Sequence, residues 1–206
     1  MDLHPALELA STIRHDGDGG VADDLADAEG LTVWVRERAE RLGVTPFDAD
    51  DRARAEVVAV REAVRALFAR AVSPGPPSRA DAHRLLPADE AVARLNAAAA
   101  LQPVTVSLAW PDGAEPEARL LPASPAGPAK PVAALTVALT ATLARAAVDF
   151  LTGPQRERLR ACTAPRCVRY FVKAHGRQEW CKPSCGNRAR VARHYRRHRA
   201  PSENSP

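Results

Sequence analysis

Four cysteines near the C-terminal end of the chain have the spacing of a metal site. They form two close pairs, Cys162 with Cys167 and Cys181 with Cys185, and thirteen residues separate the pairs. Zinc in structural sites takes four soft ligands in a tetrahedron, and two cysteine pairs at this spacing supply them. We therefore predict one Zn²⁺ ion bound by these four thiolates.

Other uses of these side chains remain open at this stage. The cysteines could form disulfides, or they could serve as a redox switch, because zinc-bound thiolates can still be oxidised. His194 and His198 are four residues apart and could replace one cysteine pair as ligands. Disulfides are disfavoured in the cytoplasm, where we expect the protein because its N-terminus shows no basic segment followed by an apolar one.

A strongly basic segment follows Cys185 and predicts a helix, because it contains no proline and no internal glycine up to residue 199. Placing its residues at 100° steps predicts a stripe of phosphate-contacting side chains on one side. The stripe consists of Arg190, Arg193, His194 and Arg197. Arg188 falls on the opposite side, where bracing the zinc loop is the favoured role and a direct nucleic-acid contact is the alternative.

Charge is divided unevenly along the chain. Residues 154–199 contain 14 Lys and Arg against two acidic residues, whereas residues 1–153 contain 15 Lys and Arg against 22 acidic residues. Such asymmetry favours an acidic body that carries a basic module for a polyanion. A basic surface that is merely solvated is the alternative.

Most of the body shows the apolar periodicity of helices. Leu, Val and Ala recur at helical spacing in several segments, and aromatic residues make up only 4% of the chain. Capping residues, glycines and prolines predict where these segments end. The predicted helices cover about residues 3–13, 27–42, 48–72, 88–101 and 131–151.

Strands are predicted in two places. Alternating apolar residues at 104–108 and 118–121 flank a Pro-Asp-Gly turn and predict a small β-hairpin. In the cysteine-rich segment, residues 168–172 are predicted as a strand that returns at 178–180. Residues 16–24 are predicted as a polar loop, and the proline-rich residues 122–131 as an extended loop.

These patterns predict a mainly α protein with three parts. A helical N-terminal domain with one small β-hairpin (1–153) precedes a small four-cysteine zinc finger with a β-hairpin and a basic helix (154–199), and residues 200–206 are predicted to be disordered. The finger is too small to fold by burial alone, so the metal should stabilise it. The longest uncharged apolar run, between Lys130 and Arg145, is too short to span a bilayer.

The cysteine-rich segment resembles a known zinc finger. Trp180-Cys181, then Cys185-Gly186-Asn187-Arg188, preceded by the first cysteine pair, are similar to the CGNR zinc finger over about residues 155–199. The body resembles the helical ABATE domain on residues 23–34, 61–68 and 95–98. The resemblance implies a bacterial, stress-related transcription regulator. It also implies structural roles in the finger for Trp180, Gly186, Asn187 and Arg188.

Three functions are compatible with these sequence features. The first is a transcription regulator whose finger binds DNA and whose body senses a small-molecule ligand or forms a homodimer. The second is a protein-interaction or structural module in which zinc only holds the C-terminal part together. An enzyme is disfavoured, because a zinc ion closed by four thiolates has no open coordination position and no nucleophile–base pair is visible.

Overall fold

The computed structural model describes residues 3–18, 20–81, 85–123 and 131–199. Within these residues, helices dominate and short antiparallel strand pairs connect them. The helices are α1 Pro5–Ala10, α2 Ala28–Leu42, α3 Asp51–Val72, α4 Ala88–Ala100, α5 Val132–Thr152 and α6 Pro183–Arg199. The strands are β1 Ile13–His15, β2 Val21–Asp23, β3 Val104–Ala109, β4 Glu117–Pro122, β5 Leu159–Ala161 and β6 Tyr170–Val172.

Helix α2 shows why the predicted elements form where they do. The carboxylate of Asp27 accepts a hydrogen bond from the backbone N–H of Gly30 at 2.8 Å and caps the first turn. Gly43 ends the helix with a φ of 64°, a left-handed conformation that glycine adopts without strain. The apolar stripe predicted for this helix is buried, including Leu31, Trp34 and Val35.

Helices α3 and α5 form the centre of the core. Phe68 of α3 packs against Phe150 of α5 with ring centroids 5.0 Å apart, and against Tyr170 of β6 at 5.5 Å. Helix α5 is long and apolar enough to cross a membrane by length and composition. Its predicted stripe, with Leu139 and Leu143 fully buried, instead packs against α1, α3 and α4, as expected of a core helix.

The N-terminal segment differs from its prediction. The first helix covers only Pro5–Ala10, and β1 and β2 form a hairpin within the residues predicted as the end of a helix and a polar loop. The loop is held by Asp16, whose Oδ1 accepts hydrogen bonds from two backbone N–H groups. Arg61 of α3 donates to both carboxylate oxygens of Asp23, at 2.5 and 2.7 Å, and fixes the hairpin on the core. Three-residue strands are too short for an alternating pattern to reveal them.

The predicted hairpin at 104–121 is present as β3 and β4. Val106 faces Leu120 in the register, and Val104, Leu108 and Ala118 share their side of the hairpin. That side is apolar, yet Val106 is 73% exposed. Most of the predicted loop at 122–131 and the predicted disordered tail at 200–206 lie outside the described residues. In α4, the apolar residues at helical spacing include Val92 and Leu95, and Leu95 is buried whereas Val92 is 43% exposed.

The strand pairing near the cysteines corrects the prediction. Strand β6 pairs with β5, which precedes the first cysteine pair, and residues 178–180 form no strand. The pairing continues through Cys162, whose backbone N–H donates to the carbonyl of Arg169 at 2.9 Å. Helix α6 begins at Pro183, before the last cysteine, because proline suits the first turn of a helix. The finger therefore still consists of a hairpin and a basic helix, but a different hairpin.

Candidate metal centre and basic helix

Two local structures bring the sulfur atoms of the four cysteines close together. Cys162 and Cys167 lie in the loop between β5 and β6, where the N–H of Cys167 donates to the carbonyl of Ala164 at 3.0 Å. Cys181 lies just before α6 and Cys185 in its first turn, where the N–H of Cys185 donates to the carbonyl of Lys182 at 3.0 Å. A strand-loop-strand unit and a helix N-terminus thus each contribute one pair.

The four sulfur atoms have the separations of a zinc-binding tetrahedron. All lie within 4.8 Å of one another, with Cys167 and Cys181 at 3.7 Å and Cys181 and Cys185 at 3.5 Å. Zn–S bonds of about 2.3 Å in a tetrahedron require sulfur atoms roughly 3.8 Å apart. A disulfide would need about 2.05 Å, and the four thiols are free. The cluster can hold a metal ion, and its ligands fit Zn²⁺.

The thiols influence one another strongly. The hydrogen bond with Cys162, followed by that with Cys181, lowers the pKa of the Cys167 thiol well below its usual range. The pKa of Cys181 is raised, first by its hydrogen bond with Cys162 and then by that with Cys167. The two pKa shifts have opposite directions because the thiols share hydrogen bonds, and several thiolates at such short distances need a cation to balance their charge. A zinc ion provides that charge.

The residues of the predicted structural set surround this cluster. Arg188 donates from Nη2 to the sulfur of Cys185 at 3.2 Å, on the side predicted for it. Gly186 is buried against Trp180, where an added Cβ would lie 3.0 Å from the ring atom Cε3. Asn187 accepts a hydrogen bond from Arg190 at 2.7 Å. The most direct of these contacts is that of the Trp180–Gly186 pair, and the structural roles of the four residues stay predictions.

A buried polar network joins this module to the helical body. The guanidinium of Arg65, in α3, binds both carboxylate oxygens of Asp81, at 2.7 and 3.0 Å, and its Nη1 donates to the carbonyl of Ala10 at 2.5 Å. Tyr170 of β6 donates its hydroxyl to Asp81 at 2.7 Å. Ser78 donates to the carbonyl of Val168, next to a cysteine, at 2.7 Å. Burial, and then the charge of Asp81, raise the pKa of the Tyr170 hydroxyl.

Local sequence patterns did not predict this network, although one signal for it was present. Arg61 and Arg65 both lie on the apolar face of α3, between residues such as Val60, Val64 and Phe68 that are buried. An arginine at such a position must find an acceptor inside the protein, because burying an unpaired charge is very costly. Its partners lie up to 103 residues away in the chain, so no local pattern could identify them.

The predicted stripe on α6 is exposed to solvent. Arg190, Arg193, His194 and Arg197 are exposed, and within the described residues none forms an ion pair with a carboxylate. Arg193 also borders a cleft of about 460 Å³ beside Trp180. The rings of His194 and His198 contact each other in a tilted arrangement, with centroids 4.3 Å apart, and lie outside the thiol cluster.

Comparison with known families gives two matches along the chain. Residues 3–154 match ABATE, described as "Putative stress-induced transcription regulator". Residues 158–198 match the CGNR zinc finger. No curated protein is similar in sequence. The ABATE match covers more than half of the chain, and the thiol cluster lies inside the second match. The protein therefore belongs to the ABATE family and carries a CGNR zinc finger at its C-terminal end.

Proposed function

We propose that this protein is a cytoplasmic transcription regulator that binds DNA through α6, with zinc in a structural, non-enzymatic role. The observation that carries the proposal is the exposed stripe of Arg190, Arg193, His194 and Arg197, which has no acidic partner in the described part of the chain. Helix α6 has 17 residues and spans about 26 Å at 1.5 Å per residue. A basic helix of this length can lie in the major groove and contact several phosphates.

The helical body contains a cavity in which we propose that a small-molecule ligand binds. The cavity has a volume of about 550 Å³ and lies between α1, α5 and the β3–β4 hairpin. Its walls are mainly apolar, and Arg145 contributes a cation whose pKa is lowered by burial. Asp149 and its partner His4 line the cavity as well, and apolar walls with a few convergent polar groups are typical of ligand sites. We therefore propose ligand sensing by this cavity.

We also propose that a second copy of the chain packs on the apolar side of the β3–β4 hairpin. Val106 and Leu108 are 73% and 69% exposed there, and one apolar face can pack on its own copy about a two-fold axis. Six-residue strands give a face only about 20 Å long. This is small against the ~800 Å² per partner of a standard interface, so we expect a weak dimer that two DNA half-sites reinforce.

Fluorescence anisotropy with labelled duplex DNA at several salt concentrations tests the DNA-binding proposal. We expect affinity to fall with salt, and a variant with Arg190, Arg193 and Arg197 changed to Ala to bind more weakly. Its slope of log K against log salt should be shallower by roughly 2 to 3, because each lost phosphate contact contributes about 0.9. A variant with three exposed body arginines changed to Ala, Arg36, Arg52 and Arg119, is the matched control.

The same experiment separates the proposal from the structural alternative. The buried contacts of Asp81 and Val168 favour a finger that is firmly joined to the body, which a purely structural module would also need. Such a module does not need an exposed basic stripe. If the stripe variant and the control variant bind DNA with equal affinity and slope, DNA binding through α6 is refuted.

A further inference from the structure

A second basic site lies between the β1–β2 hairpin and the zinc loop. It is a cleft of about 370 Å³, and the side chain of Cys167 forms part of its wall. Four cationic side chains line it, from three separate parts of the chain: Arg14, Arg169, Lys182 and Arg188. The cleft thus lies between the helical body and the finger and is separate from the exposed stripe on α6.

Two side-chain nitrogen atoms of residues that line this cleft are shielded from solvent and find no hydrogen-bond partner among the described residues. They are Nε2 of His15 and Nε of Arg188. Nδ1 of His15 accepts a hydrogen bond from the backbone N–H of Gly17 at 2.7 Å, so the proton of a neutral ring is on Nε2. Both unpartnered atoms are therefore donors. Buried donors are nearly always paired, so both call for an acceptor that enters the cleft.

No side chain of the described residues around the cleft supplies that acceptor. Arg188 donates a hydrogen bond from Nη2 to the sulfur of Cys185, whereas its Nε has no partner among the described residues. Arg14 is paired with Asp24 at 2.6 Å. Within the described residues, Arg169 and Lys182 form no ion pair with a carboxylate. Asp16 also lines the cleft, and its Oδ1 is occupied by the backbone of its own loop.

We propose that this cleft binds the phosphate group of a small molecule and thereby bridges the β1–β2 hairpin and the zinc finger. A phosphate presents several acceptor oxygens in a tetrahedron, so it can accept from His15 on one wall and from Arg188 on the other. Arginine forks and lysines on the rim are the usual partners of such an anion. On α6, Arg188 lies about 180° from Arg197 by helical rotation, so a phosphate here is not on the face proposed for DNA.

Calorimetric titration of the zinc-loaded full chain with inorganic phosphate, in a chloride buffer, tests the site. The test variant is Arg169→Gln with Lys182→Gln. The control variant is Lys173→Gln with Arg177→Gln, which removes the same charge from the finger outside this cleft. We expect the wild type and the control to bind phosphate alike and the test variant to bind at least tenfold more weakly. His15→Phe, which removes the Nε2 donor together with the Nδ1 acceptor of the Gly17 N–H, should weaken phosphate binding several-fold while retaining zinc.

Two results would overturn the proposal. One is the absence of phosphate binding by the wild type up to about 20 mM. The other is an equal loss of affinity in the test and control variants, which would mean that phosphate responds only to overall charge. Zinc content, measured on every variant, shows that the finger is intact.

Adding duplex DNA identifies the source of the phosphate. If DNA and phosphate bind together, the site takes a free phosphorylated molecule, as proposed. If DNA displaces phosphate and the test variant loses DNA affinity, the cleft binds a phosphate of the DNA backbone, and the assignment to a small molecule is wrong. The salt-dependence experiment on the α6 stripe tests DNA binding by that stripe whichever of these two results is obtained.

Discussion

Replacing Asp81 by Asn should destabilise the protein more than any comparable change at its surface. Asp81 balances the charge of Arg65, and the two side chains are only 9% and 6% exposed. The substitution keeps the size and one acceptor oxygen but leaves a buried guanidinium without a counter-ion. Removing one partner of a buried ion pair typically costs about 3–5 kcal/mol. Since Asn retains an acceptor, we expect about 3 kcal/mol.

The exposed pair of Arg36 and Asp48 provides a matched control. Asp48 is 79% exposed and also binds an arginine, so Asp48→Asn removes the same chemical group in solvent. Exposed ion pairs contribute only about 0–1 kcal/mol. Tyr170→Phe, which removes one hydrogen bond to Asp81, should fall between the two at about 1.5–3 kcal/mol.

Urea unfolding of the zinc-loaded protein at neutral pH measures these differences. At about 2–4 °C per kcal/mol for a chain of this size, Asp81→Asn should also lower Tm by roughly 6–12 °C. Because the same network contacts the carbonyl of Val168, this variant should also release zinc faster to a chelator. If Asp81→Asn and Asp48→Asn differ by less than about 1 kcal/mol, the network does not stabilise the junction and the reasoning is wrong.

Four further outcomes are expected. Metal analysis should find one zinc per chain in the wild type and a large loss in Cys162→Ser; full zinc retention would contradict the ligand set. Gly186→Ala should lower Tm by several degrees, because an added methyl group meets a tryptophan ring at 3.0 Å, and an unchanged Tm would show that the ring moves freely. Burial raises the pKa of Asp23, but the hydrogen bonds and charge of Arg61 outweigh it and lower that pKa below its usual value. Its contribution to stability is therefore present above about pH 4 and lost as the pH falls further, so Asp23→Asn should flatten the acid limb of a stability–pH curve. Truncation after Gly153 should leave a body that unfolds at a much lower temperature, because Leu159, Ala161 and Tyr170 of the removed strands belong to its core. An unchanged transition temperature would show that these strands do not stabilise the body.

The truncation experiment also examines the predicted boundary at residue 153, which stays a prediction. Leu159 and Tyr170 lie beyond it, yet both are buried in the same core as Phe68. The family matches divide the chain between residues 154 and 158. The boundary between the two family matches therefore differs from the boundary of the packed core. The reason is that the hairpin that carries the first cysteine pair also covers the end of the body.

Local patterns in the sequence were sufficient for most of the elements and for the metal centre. Helices α2, α3, α4 and α5 repeat apolar residues every three or four positions over 13 or more residues, which is long enough for a clear signal. The four cysteines predict the metal centre directly, since two pairs of thiolates at this spacing supply the four soft ligands of a structural zinc site. The basic face of α6 follows from helical geometry alone.

The contacts between distant segments depended on the tertiary structure. Strand β6 could pair with either neighbour by its sequence, and the pairing with β5 is favoured because it buries Tyr170 against Phe68. Arg65 finds Asp81 and Val168 only when α3, the turn after it and the finger pack together. Local periodicity determines which face of a segment is apolar, whereas the partner of a buried charge is set by which distant groups the packed core brings within hydrogen-bond distance.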